Sequence, residues 1–398
     1  MRNDKTTLAR PAEAPASLST PVVTPLSPSV VFASRTPDEL DAQYEGRASG
    51  FTYAREGHPN AAVLAQRLDA LEGASGGIVT SSGMSAVTAA IMGLLGAGDH
   101  IIGGDQLYGR SLRLMHEDLP RFGIETSVAD PTDADALARA VRPNTKAVLV
   151  EVVSNPTLRV ADMEGIARLC GDKGLLLMVD NTFTTPQAYL PFAHGADVVI
   201  HSVTKLLAGH SDATLGYVAA KTPELDKRIY DFAVTTGLTA SPFDCWLAER
   251  GLATFQLRFE RAQANAAALA DHLAGLEGVE RVLYPARTDH PDHARAAHLL
   301  GGQGCNMVSF VIRGGRAQSN ALAEAAAGIA FAPTLGDVGT TLSHPASSSH
   351  RALTQEARDA LGMPEGFFRV SVGLEDSAAL NAVFTRAVAA AAASGARG

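Results

Sequence analysis

Five short apolar runs, at residues 77–79, 99–102, 147–153, 175–180 and 197–201, alternate with segments of helical apolar spacing at 61–72, 84–95, 110–121, 133–141 and 162–173. That alternation constrains the fold most, because parallel strands need long crossovers and a helix is the usual one, so the chain is expected to be an α/β protein with a mainly parallel sheet. Gly73 stands where the first helix should stop. Past residue 250 the pattern changes to long helical stretches at 244–274, strand-like runs at 279–284 and 306–313, a helix near 317–327 and an Ala-rich helix from 376 to about 393. The expected organisation is an arm over 1–57, a large domain over 58–250 and a smaller α/β domain over 251–398, which a chain of 398 residues can accommodate. Pro11, Pro15, Pro21, Pro25 and Pro28 predict an extended arm. An arm lying across a neighbouring subunit and a partly disordered leader are both compatible with it.

Ligands of such sheets sit beyond the carboxyl ends of the strands. The residues there are polar: Ser81-Ser82-Gly83-Met84, Asp105 to Gly109, Ser154-Asn155-Pro156-Thr157, Asp180-Asn181-Thr182 and Ser202-Val203-Thr204-Lys205. A lysine amine forms an imine with an aldehyde cofactor, and the Ser202 and Thr204 hydroxyls stand where they could bind a phosphate beside it. Pyridoxal 5'-phosphate (PLP) carries both groups; the plainer reading of Lys205 is a solvated lysine. Asp180 closes a buried strand and would keep a pyridine nitrogen protonated, or it caps a loop. Ser82-Gly83-Met84 opens a helix whose free N–H groups suit an anion, or it is an ordinary glycine turn. Tyr53 and Arg55 could add phosphate donors, and Tyr108 could stack on a planar ring and assist proton transfer. Arg369 lies inside the apolar segment Phe367 to Gly373 and needs an anion, which either a substrate carboxylate or Glu375 would supply.

Other classes are disfavoured. A formal charge of −9 without a basic tract argues against nucleic-acid binding, and no apolar run is long enough to span a bilayer. Cys170, Cys245 and Cys305 are far apart and odd in number, so no disulfide framework or zinc site is expected; His290, His293 and His298 read as surface or packing residues, leaving no metal site. There is no signal-peptide core, and a cytoplasmic location follows as the expectation. Neither GxGxxG nor GxxxxGK occurs in the needed context.

The ordered landmarks Tyr53-Ala54-Arg55, Ser82-Gly83-Met84, Leu107-Tyr108-Gly109, Ser154 to Thr157, Asp180-Asn181-Thr182, the Lys205 run, Arg250-Gly251-Leu252, His344-Pro345-Ala346 and Arg369 to Asp376 give a resemblance over roughly residues 20–390. The chain resembles the Cys/Met-metabolism (transsulfuration) family of PLP enzymes, which includes cystathionine γ-synthase, cystathionine γ-lyase, methionine γ-lyase and O-acetylhomoserine sulfhydrylase. The resemblance implies the aspartate aminotransferase-like fold, fold type I. It implies that Lys205 binds PLP covalently, Asp180 meets the ring nitrogen, Asn155 the ring hydroxyl, and Tyr108 the ring face. Gly83, Met84, Ser202 and Thr204 would hold phosphate, with Tyr53 and Arg55 reaching it from a neighbouring subunit of a homotetramer. Arg369 would clamp the α-carboxylate of an amino-acid substrate, and Arg113 a distal carboxylate, with Thr340 beside them.

Departures fall where substrate is chosen. His58 and Asn60 interrupt the usual Gly-Asn-Pro-Thr, Arg110 replaces glycine or cysteine, Leu206 replaces an aromatic, Gly339 stands in place of glutamate and Thr340 in place of serine. The expected function is γ-elimination or γ-replacement on a Cγ-substituted amino acid. Cystathionine or cysteine β-lyase and O-acylhomoserine sulfhydrylase chemistry are the alternatives on the same scaffold. A non-catalytic binding protein that keeps the fold is the alternative of another class.

Overall fold

The computed structural model describes residues 17–351 and 353–395. Among the described residues twelve strands form two sheets: β1 (Ile78–Thr80), β2 (His100–Gly104), β3 (Glu125–Ala129), β4 (Thr145–Glu151), β5 (Leu176–Asp180), β6 (Val198–His201) and β7 (Gly216–Ala220) in one, β8 (Val279–Leu283), β9 (Met307–Ile312), β10 (Ala330–Phe331), β11 (Thr341–Ser343) and β12 (Phe367–Ser371) in the other. The large sheet has the order β1-β7-β6-β5-β4-β2-β3. Its pairings through β3, β2, β4, β5 and β6 are parallel, whereas β7 runs antiparallel to β6 and β1. All five apolar runs expected as strands are strands. The sequence reading missed β3, a polar edge strand, and β7, whose buried Gly-Tyr-Val-Ala-Ala shows no alternation.

Period-two alternation assigns the two faces. Ala147 and Leu149 face the helices Gly83–Leu94 and Pro223–Thr236, while Val148 and Val150 face Met163–Lys173. Burying Leu149, Val148 or Val150 contributes about 1.5–3 kcal/mol each, and the Ala147 methyl less. Helix starts are set locally: Thr36, Ser82, Asp162, Thr222 and Ser241 accept backbone N–H bonds from the first turn. Gly73 takes the left-handed conformation that ends Pro59–Glu72, where the sequence placed the stop.

Two helix expectations are corrected. The segment 110–121 is α-helical only over Gly109–Arg113, then makes a π turn at Leu114–Asp118 and a 3₁₀ turn at Leu119–Phe122. Pro120 lacks the N–H and crowds the carbonyl four residues back, so a regular helix cannot pass it. The stretch 244–274 is two helices, Pro242–Leu252 and Phe255–Ala274.

Phe255 and Phe259 pack with the large-domain residues Leu64, Leu206 and Tyr217, whereas Leu269 and Leu273 of the same helix pack with Phe310, Phe368 and Phe384. The helix Phe255–Ala274 thus contributes to two separate apolar clusters. In the small sheet, Phe368 and Val370 face the core beneath the helices Phe255–Ala274 and Ser377–Gly395, and Phe367 joins the large domain's core instead. Alternation puts Arg369 on the same side as Phe367, toward the large sheet. The arm is not wholly extended: it holds the helix Pro37–Tyr44. Asn60 ties it down, accepting from Ser27 N and donating to Pro25 O, and Trp246 Nε1 donates to Thr24 O. Residues 1–16, with Pro11 and Pro15, lie outside the described residues. No described helix is long and apolar enough to cross a membrane.

Candidate active site

The carboxyl ends of β2, β4, β5 and β6 and the start of Gly83–Leu94 meet the small sheet around a cavity of about 290 Å³. Its wall includes Gly83, Met84, Tyr108, Asn155, Asp180, Ser202, Thr204, Lys205 and Arg369, nine of the residues the sequence singled out. Glu151, Thr182, Phe183, Thr334 and Leu335 also line it.

Lys205 Nζ donates to Thr334 Oγ1 at 3.3 Å. Burial, with Arg369 nearby, holds its pKa below the ordinary lysine value. Such an amine is more readily neutral and nucleophilic than a solvated one. The loop beyond it is secured by Arg258, whose buried guanidinium donates to Leu206 O, Leu207 O and Gly251 O. Leu206 is buried in the apolar cluster beneath, a role that suits an aliphatic residue.

Gly83 is a position where only glycine fits. A Cβ there would lie 2.6 Å from Ser202 Cβ and 3.0 Å from Ser202 Cα, so the helix start could not close on the end of β6. Ser82 Oγ caps Ser85 N, and the N–H groups of Gly83 and Met84 remain for an anion. The Thr204 hydroxyl already donates to Leu215 O and accepts from Leu215 N, which leaves Ser202 the freer hydroxyl of the two.

Asp180 accepts from Thr182 N at 3.0 Å, and its burial raises its pKa. Asn181 and His201, its neighbours in chain and sheet, both donate to the buried carboxylate of Glu72. Helix Pro59–Glu72 is thus bonded to the ends of β5 and β6. Arg369 is 6% exposed and has no acidic partner among the described residues. It donates to Asn155 Oδ1 and Thr334 O, both at 2.7 Å, and its Nε has no partner. Burial lowers its pKa to about 10. Glu375, the rival anion, is engaged elsewhere: it accepts from Thr340 N at 2.5 Å and Thr340 Oγ1 at 2.7 Å.

Four expected residues do not join the cavity within the chain. Thr340, 3% exposed, is consumed by Glu375 and by Gly373 N, so it braces the turn after β12. Arg113 is exposed and paired with Glu117 at 3.0 Å one helical turn away. Tyr53 and Arg55 lie half-exposed, the guanidinium 5.4 Å from the ring centroid and donating to Val234 O. Two departures from the usual pattern acquire a place: His58 caps Pro59–Glu72 through Nδ1 and bonds Ala240 O through Nε2, and Arg110 is exposed. Glu151, Thr334 and Arg258 were missed by sequence reasoning. Of these only Glu151 carried a signal, closing β4 as Asp180 closes β5.

These groups fit PLP. An amine of lowered pKa, a buried carboxylate, a helix start open to phosphate and a buried guanidinium without an acidic partner converge on one cavity, which defines a PLP-dependent enzyme. The match to the Cys/Met metabolism PLP-dependent enzyme model extends over residues 5–389, and the chain belongs to that family. It is 39% identical to cystathionine beta-lyase MetC of Bacillus subtilis over 85% of this chain and 86% of that one. It is 38% identical to an O-succinylhomoserine sulfhydrylase of Pseudomonas aeruginosa, over 90% and 89%. The cystathionine gamma synthase structure from Xanthomonas oryzae in complex with cystathionine matches with a TM-score of 0.88 and 36% identity, covering 94% of each chain. The fold is accordingly that of the PLP-dependent transferases, and the chain is a PLP-dependent lyase or transferase of amino-acid metabolism.

Proposed function

We propose that the enzyme eliminates or replaces a sulfur- or oxygen-linked group at Cγ of an amino acid, with Arg369 as the clamp on the substrate α-carboxylate. The observation that carries this reading is the buried Arg369 guanidinium with no acidic partner and an unpartnered Nε. A buried cation left so is costly unless an anion arrives with the substrate. When bound, PLP supplies an electron sink for negative charge developing on the substrate carbons. Lys205 Nζ, held below the ordinary lysine pKa, takes and returns protons at Cα and Cβ. Asp180 holds the proton of the ring nitrogen. Tyr108, 42% exposed at the rim, would stack on the ring and assist departure of the leaving group. Gly83, Met84 and Ser202 hold the phosphate, with Thr204 supporting the loop.

The same proposal includes a homo-oligomer, with a tetramer as the expected form, in which Tyr53 and Arg55 complete the phosphate site of a neighbouring chain. The exposed Leu18, Val22, Val23, Val30 and Val31 of the arm support an interface there. Three buried free cysteines suit a reducing, cytoplasmic setting. β-Elimination is the second reading, favoured by the Bacillus subtilis relative, and sulfhydrylation the third, favoured by the Pseudomonas aeruginosa one. Purified enzyme is assayed with cystathionine, methionine, cysteine and O-acylhomoserines, the last with and without a thiol. 2-Oxobutyrate or a γ-replacement product is the expected result. Pyruvate as the sole keto product transfers the assignment to β-elimination. No keto acid and no exchange product from any of them would overturn the proposal.

A further inference from the structure

Glu151 is a second carboxyl group in the cavity wall, and nothing above uses it. It ends β4 directly opposite Asp180 in the parallel register of β4 and β5. Neighbouring strands lie about 4.8 Å apart, so the two acids leave the sheet side by side. Both line the cavity. Glu151 is 9% exposed; its Oε1 accepts the N–H of Tyr108 at 2.6 Å, and its Oε2 is buried with no partner. No described cation pairs with it.

Two buried carboxylates so placed cannot both ionise cheaply, since each adds to the other's Coulomb cost where solvent cannot screen it. Asp180 has the better claim to the charge, because Thr182 N and the nearby His201 both favour its ionised form. Burial first, and Asp180 second, push the Glu151 pKa well above the carboxylate range.

We propose that Glu151 is a positioning residue that works as a neutral carboxylic acid, its Oε1 fixing the Tyr108 backbone against the cofactor wall while its proton spares that wall a second buried charge. The tyrosine at the rim is then hung from the same wall that carries the acid for the ring nitrogen. Asp180 is left as the single negative charge of that wall. The inference rests on PLP binding and not on which substrate bond breaks, so a wrong substrate assignment leaves it standing.

Two measurements on the purified holoenzyme test it. Infrared spectra compared in H₂O and D₂O should contain a protonated-carboxyl band that Glu151→Gln removes. Cofactor affinity, read from fluorescence on titrating PLP into the resolved protein, should stay within about threefold in Glu151→Gln, which keeps an acceptor and carries no charge, and weaken about tenfold or more in Glu151→Ala. A merely structural side chain would lower thermal stability in both variants and leave cofactor affinity in place. Absence of the band, or equal loss of affinity in Gln and Ala, overturns the proposal. Should Glu151→Ala fail to fold, the band and the Gln affinity decide it alone.

Discussion

Replacing Arg369 by lysine keeps the charge but removes the fork. In the structure the two terminal nitrogens each donate to a fixed oxygen, Asn155 Oδ1 and Thr334 O at 2.7 Å, and Nε has no partner. Those bonds orient a planar group whose remaining N–H directions are free for a carboxylate. A lysine ammonium has three donors on a flexible stem and cannot meet both oxygens and the substrate in that geometry. One charge-assisted bond to the substrate carboxylate is worth about 1.5–3 kcal/mol, so its loss lowers kcat/KM by about 10- to 150-fold. The loss should appear mainly in KM, because the carboxylate is held alike before and during reaction. The assay is steady-state keto-acid release on the best substrate of the panel, with the absorbance of bound PLP confirming full occupancy. A kcat/KM within about threefold of the parent, with the cofactor fully bound, would falsify the clamp.

Thr340→Val removes the hydroxyl that donates to Glu375 and accepts from Gly373 N, and is expected to cost about 1–3 kcal/mol in denaturant unfolding while KM stays unchanged. A raised KM at unchanged stability would return Thr340 to the substrate site. Glu72→Ala strands the buried donors of Asn181 and His201, so a loss of about 3–5 kcal/mol is expected, together with faster release of PLP through the displaced Asp180. Unfolding within 1 kcal/mol of the parent would show that water replaces the carboxylate. Burial lowers the pKa of His350 to about 4. Between pH 6.5 and about 4 the unfolded chain binds a proton that the folded chain refuses, so stability contributed above that window is lost as pH falls through it. The thermal midpoint should drop over that range, and less steeply in His350→Asn; identical slopes would refute the assignment.

The strand-end residues were legible because their signal is local. Ser82-Gly83-Met84, Asp180 and Lys205 each follow an apolar run, and a parallel sheet brings such ends to one edge whatever the loop details. The chain by itself left open the places where a side chain had a choice of partner. Glu375 was a plausible anion for Arg369, and the structure gives it to Thr340 instead. Arg113, which the resemblance implies as a distal clamp, pairs within this chain with Glu117 of the following π turn at 3.0 Å. The helix expected at 110–121 ignored Pro120, a signal that was present in the chain.

By itself, then, the amino-acid sequence determined the strand and helix alternation, the parallel sheet and the chemical groups delivered to its edge, since periodicity and residue type act within a few positions. Tertiary structure alone decided what faces those groups. β12 pairs with β9 and β11 so that Phe368 and Val370 enter the small domain's core and Arg369 turns toward Asn155, 214 residues earlier in the chain. The pairing of β4 with β5 likewise sets Glu151 beside Asp180. Register and domain packing fix such distances, and a one-residue slip in either strand would turn each side chain to the opposite face.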